Sequence, residues 1–242
     1  MARIVMKFGG TSLEGAVRLR GAAEKIAAAR AHGHQVVAVL SARGKETDLL
    51  VAQARALHPA PAPRVLDQLL ATGELQSICL CATALQALGC PACTLSGAQA
   101  GILTDSAFGN AKIQKIEPLR ILQAWARDEA VLVAGFQGIS PEGDVTTLGR
   151  GGSDTTAVAL ACALRAEVCR IYTDVDGVYD RDPNQFPDAK KYARISYADM
   201  LALIDGGAQV LHRPCVEIAS AHGLTVEVLS SLSDAPGTLV AG

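Results

Sequence analysis

A lysine, two glycines and two hydroxyl residues stand together near the start of the chain, in the run Lys7-Phe8-Gly9-Gly10-Thr11-Ser12. Glycine has no Cβ, so backbone N–H groups can approach a phosphate closely, and the lysine adds a full positive charge. A helix that begins just after the run would contribute the partial positive charge of its N-terminus. The Gly-x-x-x-x-Gly-Lys spacing of a P-loop is absent. The run predicts a phosphate site, with an ordinary tight strand-to-helix turn as the alternative.

A second glycine-rich loop, Thr147-Leu148-Gly149-Arg150-Gly151-Gly152-Ser153-Asp154, also opens a predicted helix. The planar fork of Arg150 can bind a carboxylate through two hydrogen bonds. Ser153 or Asp154 can cap the helix, and a plain N-cap is the alternative interpretation of Asp154. So many glycines cost backbone entropy that a simple connector need not incur, which favours a binding loop.

A third polar loop follows a predicted strand over residues 168–173. It contains Thr173, Asp174, the turn Asp176-Gly177 and Tyr179. Hydroxyl and backbone groups there could hold a nucleotide, with the tyrosine against the base or the ribose. Taken alone, the same residues would also suit a hairpin turn.

These loops need strands and helices to position them. Further strands are predicted over residues 2–7, 35–40, 130–136 and 225–229, with short β-like pieces between 93 and 116. Helices are predicted over 13–31, 47–57, 64–88 with a break at Thr72-Gly73-Glu74, 118–127 and 153–164, with two more in the tail. Buried strands that alternate with helices predict a mostly parallel sheet covered on both faces. Ligands then lie at the carboxyl ends of the strands, where Lys7, Ser41, Thr173 and the run Gly135-Phe136-Gln137-Gly138 fall.

Composition excludes several classes of partner. The 242 residues carry 22 Lys and Arg against 24 Asp and Glu, a net charge of −2, so no nucleic-acid partner is expected. Half of the residues are hydrophobic, which suits a folded α/β protein. No apolar run reaches the roughly 18 residues that span a bilayer, and the N-terminus lacks a signal peptide. We therefore expect no membrane partner and a cytoplasmic location.

The seven cysteines are expected to be reduced thiols, because their number is odd and no secretion signal precedes them. Cys79-x-Cys81 and Cys90-x-x-Cys93 could be drawn as a zinc site, but the first pair falls in an apolar helical run. Buried small hydrophobic side chains are the favoured interpretation of these thiols.

Five motifs in chain order resemble the catalytic domain of aspartokinases, in the amino acid kinase superfamily, over residues 3 to about 240. They are the runs 7–12, 71–74, 135–138, 147–154 and 173–179. The resemblance implies the amino acid kinase fold, an α/β/α sandwich of three layers whose mostly parallel sheet has about eight strands. It implies one kinase domain over residues 1–242, with an amino-acid-binding lobe over about 1–135 and an ATP-binding lobe over about 136–242. Aspartokinases usually continue into regulatory ACT domains, and this chain is expected to lack them.

The same resemblance implies ATP-dependent phosphorylation of the side-chain carboxylate of L-aspartate, with Mg²⁺ bridging phosphate oxygens. Lys7 would neutralise the transferring phosphoryl group, and Asp154 would orient the group and the lysine. Glu74 would meet the α-ammonium of the substrate, and Arg150 a carboxylate. The implied substrate-binding residues are Ser41, Thr47, Glu74, Arg150, Gly151, Gly152 and Ser153. The implied ATP-binding residues are Lys7, Gly9, Gly10, Thr11, Thr173, Asp174, Tyr179 and Asp182.

Two other functions stay open. One is a kinase for another amino acid or an aspartate analogue, because one methylene changes discrimination by only about 1 to 3 kcal/mol. The other is a non-catalytic ligand-binding subunit of the same fold, against which the retention of both Lys7 and Asp154 argues. The resemblance also implies self-association into a homo-oligomer, and it leaves the metal ligands unassigned.

Two segments depart from the aspartokinase pattern. The chain has Asp182-Pro183-Asn184 where an arginine commonly follows the proline, with Arg181 on the N-terminal side instead. It also has His212-Arg213-Pro214 where the order His-Pro-Arg is familiar. Because of the first change, Arg181 is not expected to contact phosphate, and the second change is expected to alter ATP affinity. His212 is expected to cap or pack a helix rather than to catalyse.

Overall fold

The computed structural model of the chain describes residues 2–183, 185–186 and 188–242. Its strands are β1 (Arg3–Phe8), β2 (Gln35–Leu40), β3 (Ala92–Leu95), β4 (Ile102–Thr104), β5 (Ile113–Ile116), β6 (Ala130–Ala134), β7 (Gln137–Ile139), β8 (Val145–Thr147), β9 (Val168–Thr173), β10 (Arg194–Ile195), β11 (Val226–Ser230) and β12 (Thr238–Val240). Its helices are α1 (Gly15–Ala31), α2 (Glu46–Leu57), α3 (Pro63–Ala87), α4 (Leu119–Ala126), α5 (Gly152–Ala163), α6 (Tyr197–Asp205) and α7 (Arg213–His222). One turn of 3₁₀-helix over Thr11–Leu13 links β1 to α1.

Eight strands form the main sheet, in the order β10-β12-β11-β9-β1-β2-β6-β3. All neighbouring pairs in it are parallel except β11 with β12. Strand β1 lies at the centre, between β9 and β2, and Lys7 stands opposite Ile171 and Val39. The expectation of a mostly parallel sheet of about eight strands is confirmed.

Alternating apolar residues give the sheet its two covered faces. In β1 the side chains of Ile4, Met6 and Phe8 pack with α1 and α3, whereas Val5 packs on the opposite side with α5. In the same way β2 directs Val37 and Val39 toward the layer that contains α4, α5, α6 and α7. Two apolar layers enclose the sheet, so the molecule is the expected α/β/α sandwich of three layers.

A second, four-stranded sheet has the order β5-β4-β7-β8. Its strands β7 and β8 pair in antiparallel register, with Gln137 opposite Thr147. Sequence reasoning assigned this hairpin to a loop, because its three-residue strands are rich in glycine and threonine. It also missed β10 and β12, which have two and three residues.

Helix α3 corrects the expected break at Thr72-Gly73-Glu74, because it runs without interruption through 25 residues. A Cβ on Gly73 would lie 2.8 Å from the Cβ of Ala42, so this glycine allows the helix to approach the loop after β2. The exposed Cys79 on α3 corrects the expectation of a buried thiol there, whereas Cys81 is buried. All seven cysteines are free, and Cys90 and Cys93 are half-buried. No described helix has the length and apolarity needed to cross a membrane.

Candidate active site

Four neighbouring parallel strands end at the same edge of the main sheet, and each carries a polar or glycine-rich loop there. Thr173 ends β9, Lys7 is the second-last residue of β1, Ser41 follows β2, and Gly135 follows β6. The Gly135 amide donates to Leu40 O at 3.0 Å, which extends the ladder one residue past β6. Strand pairing alone therefore gathers side chains that lie up to 166 positions apart in the sequence.

Lys7 and Asp154 form a buried ion pair, with 2.6 Å between Lys7 Nζ and Asp154 Oδ1. The exposed fractions of the two side chains are only 11% and 7%. Asp154 lies in the first turn of α5, where the helix dipole favours a negative charge. The plain N-cap alternative is wrong, because Gly151 holds the N-cap position and no side chain caps the helix. A fixed ammonium at a helix N-terminus, with little competing water, is suited to stabilising the charge of a transferring phosphoryl group.

A first cavity of about 470 Å³ opens beside this ion pair. Both predicted catalytic residues and all seven predicted substrate-binding residues line it, namely Lys7, Ser41, Thr47, Glu74, Arg150, Gly151, Gly152, Ser153 and Asp154. Sequence reasoning missed Asp48, Phe136, Gly149 and His212, which also line it. Asp48 and Gly149 adjoin predicted site residues in sequence, which is the signal that could have found them.

Glu74 projects a buried carboxylate into the first cavity from α3. One oxygen, Oε1, accepts the Ala42 amide at 3.0 Å, whereas the buried Oε2 has no hydrogen-bond partner among the described residues. Burial raises the pKa of Glu74 to about 7, although the hydrogen bond from the Ala42 amide opposes the rise. A buried carboxylate with a hydrogen bond to only one of its oxygens is stabilised strongly by a cation, so this end of the cavity is suited to an ammonium group.

The Arg150 loop closes the other side of the first cavity. Gly149 and Gly151 have φ values of 71° and 72°, which L residues rarely adopt. A Cβ on Gly151 would clash with the ring of His212. Arg150 itself is exposed, and the part of the chain that the structure describes offers it no ion-pair partner. The guanidinium can therefore take a carboxylate from a ligand.

His212 joins the site from a distant segment. Its ring packs over Gly151, and its Nε2 lies 3.9 Å from Asp154 Oδ2. His212 occupies the N-cap position of α7, but its side chain makes no capping hydrogen bond. Of the two expected roles, packing is supported and side-chain capping is wrong.

A second cavity, of about 830 Å³, lies at the carboxyl end of β9. All four predicted residues of the nucleotide loop line it, together with Arg181 and the segment after α6: Thr173, Asp174, Tyr179, Asp182, Gly206, Gly207 and Gln209. Tyr179 donates to Asp176 Oδ1 at 2.8 Å, and Lys191 Nζ lies 3.0 Å from Asp176 Oδ2. The lysine holds the pKa of Asp176 below its usual range, so the turn carries a fixed charge pair. Asn184 lies outside the described residues.

Gly9, Gly10 and Thr11 line neither cavity. The Gly9 amide donates to Tyr172 O at 3.3 Å within the sheet, so it is already engaged. A Cβ on Gly9 would lie 3.4 Å from Lys7 Nζ, and one on Gly10 would lie 2.7 Å from Ala42 O. These glycines keep the backbone close to the ammonium and to the loop after β2. Their role as phosphate donors stays a prediction.

Across residues 2–183, 185–186 and 188–242, no three His, Cys, Asp or Glu side chains form a group that could hold a metal ion. Mg²⁺ in phosphoryl-transfer enzymes is usually held by one or two carboxylates together with substrate phosphates. Asp154, in the first turn of α5, lines the first cavity and Asp174, after β9, lines the second, so each cavity offers one carboxylate of that kind.

Comparison with known proteins agrees with this geometry. The profile of the Amino acid kinase family matches residues 2–230, so the chain belongs to this family. The chain is 49% identical over 243 residues to an aspartokinase of Mycobacterium tuberculosis, with all of this chain and 58% of that protein covered. It therefore spans a little over half the length of the curated relatives it matches.

Solved structures show the same likeness. An aspartate kinase from Synechocystis matches with a TM-score of 0.88 and 43% identity, covering 100% of this chain and 40% of that one. An Escherichia coli aspartokinase III, solved in complex with aspartate and ADP, matches with a TM-score of 0.86 and 29% identity, covering 99% and 64%. The main-chain arrangement around both cavities thus belongs to a kinase fold.

Proposed function

We propose that the protein phosphorylates the side-chain carboxylate of L-aspartate with ATP, giving 4-phospho-L-aspartate. One observation carries the proposal: Glu74, which has an unpaired buried oxygen, and Arg150, which has no ion-pair partner among the described residues, line the same cavity as the Lys7–Asp154 ion pair. The ammonium of a zwitterion with two carboxylates can pair with Glu74 and one carboxylate with Arg150, which leaves the second carboxylate for the side of the cavity that holds Lys7. The similarity to aspartokinases, one of them solved with aspartate and ADP, supports this choice of substrate.

The amino acid occupies the first cavity in this proposal. Its α-ammonium pairs with Glu74, and Arg150 binds a carboxylate through its two-pronged guanidinium. Ser41, Thr47 and Ser153 add hydroxyl groups to the lining of the same cavity. Because Glu74 and Arg150 carry opposite charges at two positions of the cavity, the ligand must carry both an ammonium and a carboxylate, and it binds in one orientation.

ATP occupies the second cavity, with its base and ribose near Tyr179 and its phosphates toward Lys7. A side-chain carboxylate oxygen of aspartate attacks the γ-phosphorus, and the bond to the bridging oxygen breaks, so the electron pair leaves with ADP. No general base is needed, because the nucleophile is already ionised at neutral pH. Lys7 compensates the charge on the transferring group, and Asp154 keeps the ammonium in place.

Several finer statements remain proposals. Asp154 and Asp174 would hold Mg²⁺ together with phosphates of the nucleotide, and the cation would supply charge neutralisation there. An ATP lobe after about residue 135 is supported by the second cavity, whose lining residues all follow residue 172. The first cavity is lined by residues from both sides of residue 135, so the proposed amino-acid site lies between the two lobes. The cytoplasmic location and the homo-oligomer also rest on the sequence alone.

A substrate panel tests the proposed function. ADP release is measured with ATP, Mg²⁺ and each of L-aspartate, L-glutamate and N-acetyl-L-aspartate. Aspartate is expected to turn over, and N-acetylaspartate to be poor because it lacks the charge that Glu74 meets. A preference for glutamate would assign the chain to another amino acid. ADP release that is the same without any amino acid would remove the proposal.

A further inference from the structure

One face of the N-terminal part of helix α3 is tied to the β7–β8 hairpin and its turn. Arg64, Asp67, Ala71 and Glu74 follow one another at spacings of three, four and three residues, which places them on one side of a helix. Arg64 pairs with Asp144 in the hairpin turn, and the carbonyl of Ala71 accepts Gln137 Nε2 at 2.9 Å. Glu74, the last residue of this face, reaches into the first cavity.

Asp67 makes the strongest of these connections. Its side chain is buried, and Oδ2 accepts the backbone amides of Thr147 at 2.8 Å and Gly109 at 2.9 Å. Its other oxygen, Oδ1, accepts the hydroxyl of Thr147 at 2.8 Å. Thr147 in turn accepts the Ala111 amide on its carbonyl at 2.8 Å. Three donors on one buried carboxylate fix the position of Thr147 relative to α3.

Arg150 follows Thr147 by only three residues. The intervening Gly149 packs against Asn110, next to the Gly109 amide that Asp67 holds, because a Cβ on Gly149 would lie 2.7 Å from Asn110 Oδ1. The loop that presents Arg150 therefore starts from a residue clamped to the same helix that presents Glu74. Asp67 and Glu74 are seven residues apart, two turns of one rigid element.

We propose that Asp67 is a positioning residue that fixes the Arg150 loop relative to Glu74, and thereby sets how far the side chain of the bound acidic amino acid reaches toward Lys7. The inference rests on the proposed function and names a residue that controls its substrate specificity. Aspartate and glutamate share the ammonium and the α-carboxylate and differ by one methylene in the side chain, so discrimination needs Glu74 and Arg150 held at fixed positions relative to Lys7. Asp67 touches neither substrate nor nucleotide in this account and acts only through the loop.

Two neighbouring threonines offer a matched test. Thr147→Val removes the hydroxyl that bonds Asp67. Thr146→Val makes the same change one residue earlier on β8, where the buried hydroxyl instead pairs with Thr104 Oγ1 at 2.6 Å. Both variants lose one buried hydroxyl, and Thr147→Val should cost more stability because it leaves a buried carboxylate oxygen without that donor, so the KM for aspartate is compared under conditions where both variants are folded. Only Thr147→Val should raise the KM for aspartate, by about 3- to 10-fold, with kcat and the KM for ATP within twofold of the parent.

Two substitutions of Asp67 complete the series. In Asp67→Asn the amide oxygen can still accept both backbone amides, and the Thr147 hydroxyl can reverse its role and accept from Nδ2. This variant should stay near the parent. Asp67→Ala removes every acceptor, so it should raise the KM for aspartate at least as much as Thr147→Val does, and lower the ratio of aspartate to glutamate kcat/KM about 3- to 30-fold.

The outcomes separate this inference from the proposed function. Equal effects of Thr146→Val and Thr147→Val on the KM for aspartate, or an unchanged aspartate-to-glutamate ratio in Thr147→Val, would reduce Asp67 to a stabilising residue. If the parent itself releases no ADP with aspartate, the proposed function fails. The same two threonine variants are then compared by amide hydrogen exchange over residues 148–152. Faster exchange in Thr147→Val alone supports the positioning role, and equal exchange overturns it.

Discussion

Replacing Glu74 with glutamine tests how the first cavity recognises an ammonium group. In the free protein the pKa of Glu74 is raised to about 7 by burial, so near neutral pH about half of the molecules carry a protonated side chain. A bound ammonium group favours the ionised form, so aspartate binding must release that proton. Between pH 6 and pH 8 the substrate keeps its ammonium charge, and Glu74 becomes the titrating group to follow.

The magnitude follows from the protonated fraction. The pKa of Glu74 is about 7 in the free protein and should be much lower in the complex with aspartate, so the apparent affinity for aspartate is proportional to the ionised fraction of Glu74 in the free protein. That fraction is about one eleventh at pH 6 and about ten elevenths at pH 8. Aspartate should therefore bind about tenfold more weakly at pH 6 than at pH 8. In Glu74→Gln this dependence should vanish, and binding at pH 8 should weaken about 30-fold or more.

Isothermal titration calorimetry at several pH values, in buffers of different ionisation enthalpy, measures both the affinity and the proton release. Glu46→Gln is the matched control, because Glu46 lies near the same loop but does not line the first cavity. The control should keep the parent's pH dependence. A pH dependence in Glu74→Gln equal to that of the parent would refute the placement of the ammonium at Glu74.

Other expectations follow from the same contacts. The pKa of Glu74 in the folded protein, about 7, exceeds its ordinary value of 4.5, so the free energy of unfolding should fall by up to about 3 kcal/mol as pH rises from about 4.5 through 7. Urea unfolding should show that Glu74→Gln becomes more stable relative to the parent over the same pH range. Lys7→Ala should lower kcat about 10²- to 10⁴-fold with aspartate affinity by calorimetry nearly unchanged, and a change of only a few fold would remove Lys7 from the chemistry. Arg150→Ala should raise the KM for aspartate more than it lowers kcat. An unchanged KM for aspartate would disprove the role of Arg150 in binding it. Gly151→Ala should raise the KM for aspartate and lower the melting temperature, because residue 151 has a φ of 72° and the new Cβ would clash with His212. A melting temperature and a KM equal to those of the parent would show that the loop adapts.

Most strands of the main sheet could be predicted from the sequence. Strands β2 and β9 begin and end at the predicted residues, because each is a short apolar run bounded by polar or turn residues. The polar residues that follow the strands could then be placed at one edge by the rule for parallel sheets. That rule placed Lys7 and Ser41 at one edge of the sheet, and both line the first cavity; Arg150, which also lines it, was assigned from its glycine-rich loop and from the family resemblance.

Long-range contacts account for what the sequence did not reveal. Gly73 looks like a helix break until the approach of Ala42 is known, and the packing of His212 on Gly151 joins residues 61 positions apart. Asp67 has no motif of its own, and only the structure shows that it holds Thr147. The unpaired oxygen of Glu74 likewise depends on burial by the loop after β2, which no local pattern encodes.

Identification of the phosphorylated product tests the central claim most directly. The enzyme is incubated with ATP, Mg²⁺ and L-aspartate, and the acyl phosphate is trapped with hydroxylamine and analysed by NMR spectroscopy. If Glu74 and Arg150 hold the amino acid with its side chain toward Lys7, the product is the β-hydroxamate of aspartate, formed in equal amount to ADP. An α-hydroxamate, or ADP without any hydroxamate, would contradict the account.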